Sequence, residues 1–263
     1  SRAYESETYP AVRCDAAIRM AKCVDPDGAE RWLARAAKLV SSPDSYWADK
    51  VDLARAIHAM NIGQLDQARI INAQVRDRAK RSGRLRLAAI ATSNLADCDL
   101  LCGDVEDARR GFAETQVIFR GMGSQTDIAI DELNLGAAEL YVGNSKSACG
   151  HLNNAVSVAK EIGYKAIEIE GRAHLGVAMA LEGDLDTGEQ LCKEAQSQAL
   201  DASISALEPV ANLHLLHIAI LREDRDEAQR RLRLCQKADP AAMPPLLNDR
   251  LSMLRSLGRS LLR

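Results

Sequence analysis

Residues 134–148 read NLGAAELYVGNSKSA, and two clear copies of this stretch lie forty residues to either side of it. Residues 94–108 read NLADCDLLCGDVEDA, and residues 174–188 read HLGVAMALEGDLDTG. Weaker copies occupy residues 54–68 and 214–228, and no insertion or deletion interrupts the spacing. A fixed period of this length is typical of a solenoid, in which each repeat buries its apolar face only against its neighbours.

The composition favours closely packed helices. The chain is 47% hydrophobic and only 3% aromatic, and its apolar residues are mostly Ala and Leu. A formal net charge of -3 gives no electrostatic bias toward nucleic acid. Seven scattered cysteines predict a reducing cytoplasmic compartment, and no apolar run is long enough to cross a membrane. The chain begins at Ser1 without an initiator Met, which we interpret as a piece of a longer protein.

Four features recur at the forty-residue spacing, and each has a physical reason. Glycines with an expected positive φ end the first helix of each repeat at Gly63, Gly103, Gly143 and Gly183, and the second helix at Gly83, Gly123 and Gly163, with Ser203 in the fourth copy. Capping side chains for the second helix follow at Asp104, Asn144 and Asp184. Small residues that let the paired helices approach are Ala68, Ala108, Ala148, Gly188 and Ala228. The first helix contributes a core layer at Leu95, Leu135, Leu175 and Leu215.

These features predict an all-α, right-handed superhelical solenoid of antiparallel helix pairs, with about six hairpins and a C-terminal capping helix. The predicted regular helices are 46–62, 65–82, 85–102, 105–121, 126–142, 145–162, 165–182, 185–201, 206–222 and 225–238. We expect a linker at 1–10 and one solenoid domain over 11–263. Its parts are a degenerate repeat at 11–44, repeats at 45–83, 84–123, 124–163, 164–203 and 204–240, and a capping helix at 244–263.

The last helix follows breaks at Asp239-Pro240 and Met243-Pro244-Pro245. Its apolar stripe is Leu246, Leu247, Leu251, Leu254, Leu257, Leu261 and Leu262, with Arg250, Arg255, Arg259 and Arg263 between. A solenoid needs an amphipathic element to cover its open end, so covering is the favoured role of this helix. The alternative is an interface for a further domain or a second copy of the chain.

The pattern Leu135-Gly136, Gly143-Asn144 and Ala148 resembles the tetratricopeptide repeat. The usual unit is about 34 residues, and the second helix here is longer. This variant is similar to the repeat domains of large bacterial regulators such as the LuxR-type activators and the maltose-regulon activator. The resemblance covers residues 46–238 and implies helix pairs around a concave groove. Because such repeats are scaffolds, it does not identify the ligand.

In the repeat family the first helix of each pair lines the groove, and this implies a ladder of polar side chains. The groove candidates are Asn94, Asp97, Asn134, His174, His214 and His217. Amides and imidazoles in successive repeats can hydrogen-bond a peptide backbone or a sugar-like ligand. The alternative is that Asn is simply common in this position of the repeat.

Other clusters favour structural roles. His174, His214 and His217 have no recognisable fourth ligand, so we expect solvated groove histidines and no metal. Cys98 and Cys102 share a helix face, and we expect both to be small core residues. The basic pairs Lys80-Arg81, Arg109-Arg110 and Arg230-Arg231 are interpreted as solvated outer faces.

The groove positions are also partly apolar. Where a chaperone-binding repeat needs lysine, this chain has Ser93, Leu133, Ala173 and Leu213, so that clamp is not expected. The apolar positions are Ile90, Ile130, Leu133, Val210 and Leu213. They favour an apolar or amphipathic segment, with a helix of the same polypeptide as one candidate.

No pattern of residues resembles a catalytic site, and we expect no cofactor and no enzymatic activity. The predicted function is a protein-, peptide- or effector-binding regulatory module of a larger bacterial signalling or transcription-regulating protein. Its partners are then a protein or peptide segment, a small effector or other domains of the parent protein, with no direct nucleic-acid or membrane contact. The alternative is a structural scaffold that assembles through its outer face or last helix. Whether the chain forms a homodimer is left open by the sequence.

Overall fold

In a computed structural model of the chain, the described residues are 10–21, 23–202, 207–237 and 245–258. They form thirteen α-helices and no strand, which confirms the all-α prediction. In chain order, α1 to α13 are Pro10–Ala21, Pro26–Lys38, Tyr46–Asn61, Leu65–Arg81, Leu85–Cys102, Val105–Met122, Gln125–Tyr141, Ser145–Glu161, Lys165–Leu181, Leu185–Asp201, Glu208–Leu221, Arg225–Lys237 and Pro245–Leu257.

Some predictions fall on residues that the structure does not describe. They are the linker character of 1–9, the repeat end at Ser203 and the breaks at Asp239-Pro240 and Met243-Pro244. The same holds for the side chains of Leu246, Leu247, Arg250, Arg259, Leu261, Leu262 and Arg263 in the predicted stripe of the last helix.

The chain divides into two compact units, Ser1–Cys98 and Asp99–Arg263, and each is described by itself. In the first unit α1 pairs with α2 and α3 pairs with α4. Val75 of α4 is fully buried beside Leu53 of α3 and Leu87 of α5. The prediction of one solenoid domain over 11–263 stays a prediction.

In the second unit α7 pairs with α8, α9 with α10, and α11 with α12. Each first helix also contacts the first helix of the next repeat, since α7 touches α9 and α9 touches α11. The central core lies where α7, α8 and α9 meet, around the fully buried Leu152. At the end of the unit, Leu251 and Leu254 of α13 pack with Leu213 and Leu216 of α11. These contacts cover part of α11, and the capping role of the last helix stays a prediction.

Helix caps agree only in part with the sequence prediction. Asp184 does cap α10, because its carboxylate accepts a hydrogen bond from the backbone N–H of Thr187 at 3.1 Å. Asp104 and Asn144 make no such cap hydrogen bond. The Asn144 amide instead donates to the Glu139 carboxylate at 2.6 Å, at the end of the preceding helix. The prediction of a side-chain cap is therefore wrong for Asp104 and Asn144. For Asn144 the reason is local, because the carboxylate of Glu139, five residues earlier, competes for its side chain.

The turn after the first helix uses left-handed backbone. Gly143 has a φ of 80°, as predicted for a glycine at the end of a helix. In the last repeat the aligned residue is Glu223, which has a φ of 58° and is the one non-glycine residue with positive φ in the described ranges. A left-handed conformation costs a residue with a Cβ about 1–2 kcal/mol. The last repeat therefore stores strain that the other copies avoid.

Glu223→Gly is expected to raise the free energy of unfolding by about 1 kcal/mol, because glycine adopts this backbone without the Cβ clash. Urea unfolding followed by circular dichroism measures the change. Glu223→Ala is the matched control, since alanine keeps the Cβ, and it should stay within about 0.5 kcal/mol of the parent. An equal gain from both variants would assign the effect to the lost carboxylate and would contradict the strain.

Candidate functional site

Two residues of the predicted ladder touch each other. The Nε2 atom of His214 on α11 lies 3.0 Å from the Nδ1 atom of His174 on α9. Their ring centroids are 4.7 Å apart, in an edge arrangement with an interplanar angle of 65°. A neutral imidazole has one donor and one acceptor nitrogen, so one ring must donate to the other. Residues forty apart in the sequence are thus neighbours on one face of the second unit.

The His174 ring also approaches a carboxylate. Its Nε2 atom lies 4.0 Å from the Oε1 atom of Glu170, one turn earlier on α9. The Glu170 side chain is 33% exposed and the His174 side chain 12% exposed, so both are partly accessible to a ligand. Glu170 and His174 thus place a carboxylate and an imidazole on the accessible side of the contact between His174 and His214.

His214 and His217 are not solvated. Their exposed fractions are only 1% and 5%, because α11 is buried along almost its whole length. The prediction of solvated groove histidines is therefore wrong for these two residues. In the described ranges no group of three or more His, Cys, Asp or Glu side chains is arranged to hold a metal ion.

The predicted apolar groove positions also belong largely to the core. Leu133 and Leu213 are 3% and 0% exposed, and each packs in a core cluster. Val210 is buried as well, whereas Ile90 and Ile130 are half-buried and pack against the edge of the core. The prediction of a broad apolar groove lining is wrong for the three buried residues. Leu213, for example, packs with Cys235 of α12 and with Leu251 and Leu254 of α13.

Asn134 occupies the ladder position on α7. It is half-buried, as are Ile130 one turn before it and Ala137 about one turn after it. These side chains follow one another on one side of the helix. Asn134 and His174 are the half-buried ladder residues of the second unit. Together with Ile130 and Ala137 on α7 and Glu170 on α9, we refer to them as the ladder face.

The two remaining ladder residues lie in the first unit. The Asn94 amide donates to the Oδ1 atom of Asn72 at 3.2 Å, and Asn72 is fully buried on α4. Asn94 therefore connects α5 to α4 and has a structural use independent of any ligand. Asp97 is half-buried one turn further along α5.

Sequence reasoning missed a buried arginine. Arg231 on α12 is 4% exposed, so its interpretation as a solvated outer residue is wrong. Its Nε atom donates to Glu227 at 2.6 Å, and its Nη1 atom donates to Asn212 at 2.8 Å and to Gln196 at 3.1 Å. These bonds connect α10, α11 and α12. Hydrogen bonds from Arg230 and then Arg231 outweigh burial and lower the pKa of Glu227 to about 2.

A buried carboxylate lies where α6, α7 and α8 meet. Glu132 is 2% exposed and accepts hydrogen bonds from Nη2 of Arg120 and from the His151 ring, each at 2.7 Å. Burial alone raises the pKa of a carboxyl group, but the bonds from His151 and Arg120 outweigh it, and the pKa of Glu132 falls below its usual range. In the sequence, the only indication of this cluster was that Glu132 lies among the positions of α7 that face the core.

The other basic pair in this unit agrees in part with the sequence interpretation. Arg109 bonds Glu106 at 3.0 Å and Glu139 at 2.7 Å, and Arg110 pairs with Asp107. Nearby carboxylates thus neutralise both arginines on the outer side of α6. The exposed Arg110–Asp107 pair contributes little to stability. Glu139 is 3% exposed, so the contact of Arg109 with Glu139 is partly buried and the interpretation as a solvated outer residue holds for Arg110 alone.

The cysteines do not form disulfides in this structure. Cys98 is fully buried, as predicted, but Cys102 is exposed at the end of α5, so its assignment to the core is wrong. Burial raises the pKa of the Cys192 thiol to about 12 and that of Cys235 to about 11. Both thiols therefore stay protonated near neutral pH and behave as small core residues.

Comparison with known proteins identifies the fold. No protein-family model and no curated protein matches the chain. A Rap protein complexed with competence and sporulation factor superposes with a TM-score of 0.71 at 12% identity, over 96% of this chain and 74% of that chain. The apo form of RapI gives a TM-score of 0.62 at 10% identity, over 96% and 98% of the two chains. The chain has a tetratricopeptide-like helical repeat fold.

A third solved structure carries the same tetratricopeptide-like fold as part of a larger chain. It is a signal transduction ATPase with numerous domains, with a tetratricopeptide repeat sensor, from Pyrococcus horikoshii. The TM-score is 0.62 at 16% identity, and the match covers 96% of this chain but 40% of that one. No helix in the described ranges of the present chain is long and apolar enough to cross a membrane.

Proposed function

We propose that this chain is a regulatory repeat module of a larger bacterial signalling or transcription-regulating protein, and that it binds a peptide or protein segment on the ladder face. The observation that carries the proposal is the 3.0 Å contact between His174 and His214. Because residues forty apart meet on one face, polar side chains at the aligned positions of α7 and α9 can both contact one bound segment.

The chemistry of the ladder face suits an extended peptide. The Asn134 side chain carries both a donor and an acceptor, which are the groups needed to pair with a backbone N–H and C=O. Glu170 and His174 add an acceptor and a ring nitrogen on α9. Ile130 and Ala137 supply apolar surface for alternate side chains of the segment. Specificity then comes from side-chain pockets, and affinity comes from main-chain hydrogen bonds.

The structural neighbours support this use of the fold. A Rap protein with the same fold is complexed with competence and sporulation factor. The archaeal ATPase carries its repeats as a sensor. We extend these two uses to the present chain, in which the bound segment controls a domain elsewhere in the parent protein. Regulation of this kind requires only small rotations between neighbouring helix pairs.

Replacing Asn134 and His174 together by alanine is expected to weaken peptide binding about ten-fold or more, because each lost hydrogen bond contributes about 1 kcal/mol. Peptides selected on the whole chain from a random phage-displayed library are the probes. Their dissociation constants for the parent and the double variant are compared by fluorescence polarisation. Circular dichroism confirms that the double variant remains folded.

Asn153→Ala is the matched control, since Asn153 is exposed on α8 and its amide donates to the Cys149 carbonyl of its own helix. It should leave every affinity unchanged. Selected peptides that bind the double variant as tightly as the parent would move the binding site away from the ladder face. A library that yields no binder at all would favour the scaffold alternative.

A further inference from the structure

The first unit contains a cavity that the ladder does not explain. It has a volume of about 340 Å³ and lies between α2, α3, α4 and the connection of residues 39–45. Its apolar side is formed by Ala37, Val40 and Val51, and its polar side by Asp52, Arg55 and Arg78. Pockets that hold small molecules begin at about 300 Å³ and combine an apolar lining with a few polar groups.

The polar side belongs to a cluster with an excess of positive charge. Asp49 is fully buried and accepts hydrogen bonds from Nε of Arg78 at 2.6 Å and from Nε of Arg84 at 2.7 Å. The Nη2 atom of Arg78 donates to Asp52 at 2.8 Å. With Arg55 beside Asp52, three guanidinium groups face two carboxylates, so one positive charge is left uncompensated within the cluster.

Among the arginines of this cluster, Arg55 is the one best placed to bind an anionic ligand. Its Nη1 atom lies 3.6 Å from Asp52, which is too long for a good hydrogen bond, and its side chain is 43% exposed. Arg78, in contrast, is 15% exposed and is engaged by two carboxylates. The guanidinium of Arg55 can therefore turn to an incoming anion without breaking the buried pairs around Asp49.

The Nη2 atom of Arg84, whose charge is already counted in the cluster, is buried and has no hydrogen-bond partner among the described residues, but Arg84 does not line the cavity. The start of α3 adds to the positive field. Ala48, in the first turn of α3, also lines the cavity, and the N-terminal end of a helix carries a partial positive charge. An anion at this position is favoured, and a cation is opposed.

We propose that this cavity binds a small aliphatic carboxylate, with the carboxylate on Arg55 and the hydrocarbon chain against Ala37, Val40 and Val51. The site is separate from the ladder face. In α3 the positions forty residues before Asn94 and Asp97 are Ala54 and Ile57, and neither of them lines the cavity. The chain thus holds a small-molecule site in its first unit in addition to the peptide site proposed in its second.

Isothermal titration of the whole chain with sodium hexanoate, hexylamine and hexan-1-ol tests the site. We expect hexanoate to bind at least ten-fold more tightly than hexylamine, with hexan-1-ol between them. Arg55→Gln is expected to weaken hexanoate about ten-fold, because it removes a charge-assisted bidentate contact, and Arg55→Lys is expected to weaken it less. N-acetyl-leucine carries the free carboxylate of a peptide terminus, and its affinity is compared with that of hexanoate. Weaker binding than hexanoate supports a small carboxylate as the ligand, and tighter binding supports the end of a peptide chain.

Arg19→Gln is the control for loss of charge, since Arg19 lies on α1 with a side chain 79% exposed and pairs with Asp15 outside the cavity. It should leave hexanoate binding unchanged. Val40→Trp, which fills the cavity, should abolish binding while the chain stays folded, and it serves if Arg55→Gln is unstable. Equal binding of hexanoate and hexylamine, no hexanoate binding, or full binding by a folded Val40→Trp variant would overturn the proposal. None of these outcomes alters the test of the ladder face.

Discussion

Leu254→Ala is expected to lower the free energy of unfolding by about 3 kcal/mol. Leu254 is fully buried on α13 and packs with Leu213 and Leu216 of α11 and with Cys235 of α12. Truncation to alanine removes apolar contact and leaves a cavity that the rigid helix pair can fill only in part. Urea unfolding of the whole chain, followed by circular dichroism, gives the loss directly.

Leu257→Ala is the control, because Leu257 lies one turn further on and is 59% exposed. It should change the free energy of unfolding by less than about 0.5 kcal/mol. Equal small effects of the two substitutions would show that α13 does not cover the last repeat. Sedimentation of the same variants separates the two roles considered for this helix, since loss of a dimer in Leu257→Ala would support the scaffold.

The forty-residue spacing predicted the helices well because their ends depend on local chemistry. Gly143 ends α7 with left-handed backbone, as its position in the repeat predicted. Glu223 holds the same backbone in the last repeat although its side chain disfavours it. The conformation there is imposed by the packing of α11 and α12, so the repeat specified a turn that the residue itself does not prefer.

Burial of polar side chains could not be predicted with the same success. The period shows which residues share a face, but it does not show what covers that face. His214 aligns with Asn134, yet His214 is buried while Asn134 is half-buried. Its burial depends on His174, which contacts it from the preceding repeat, and on the packing around α11 in the last repeat.

Arg231 illustrates the same limit for charges. A basic pair on a second helix is usually solvated, and Arg230 does have an exposed side chain that pairs with Glu227. Arg231 points inward because Asn212 and Gln196 offer acceptors inside the unit. Those partners lie 19 and 35 residues away in sequence. No local pattern connects residues at such separations.

Gly188→Ala is expected to lower the free energy of unfolding by about 2 kcal/mol, although the aligned repeats have alanine at this position. A Cβ at Gly188 would lie 2.5 Å from the backbone oxygen of Gly176 and 2.9 Å from the Cβ of Ala180. Backbone atoms cannot move aside as a flexible side chain can. Overpacking of this kind costs about 1–3 kcal/mol, and the better helix propensity of alanine returns only part of it.

Alanine is tolerated in one repeat and not in the next because the two helices of the pair approach differently in the two repeats. In the third repeat Gly136 leaves room for Leu152, and Ala148 fits beside them. In the fourth repeat the residue aligned with Leu152 is Cys192, which is smaller, so α9 and α10 approach until Gly176 and Gly188 are in backbone contact. The volume of the residue at position 152 or 192 thus sets the spacing of the two helices. That spacing in turn determines how large a residue fits at position 148 or 188.

Gly150→Ala separates this clash from the general effect of adding a methyl group to a helix. Gly150 lies on the exposed side of α8, and a Cβ there would meet no atom within 4 Å. Alanine should therefore raise the free energy of unfolding by about 0.5–1 kcal/mol at this position. The opposite signs of the two Gly→Ala substitutions, measured in the same urea titration, are the decisive outcome. A stabilising Gly188→Ala would show that α9 and α10 are farther apart than their backbone contact implies.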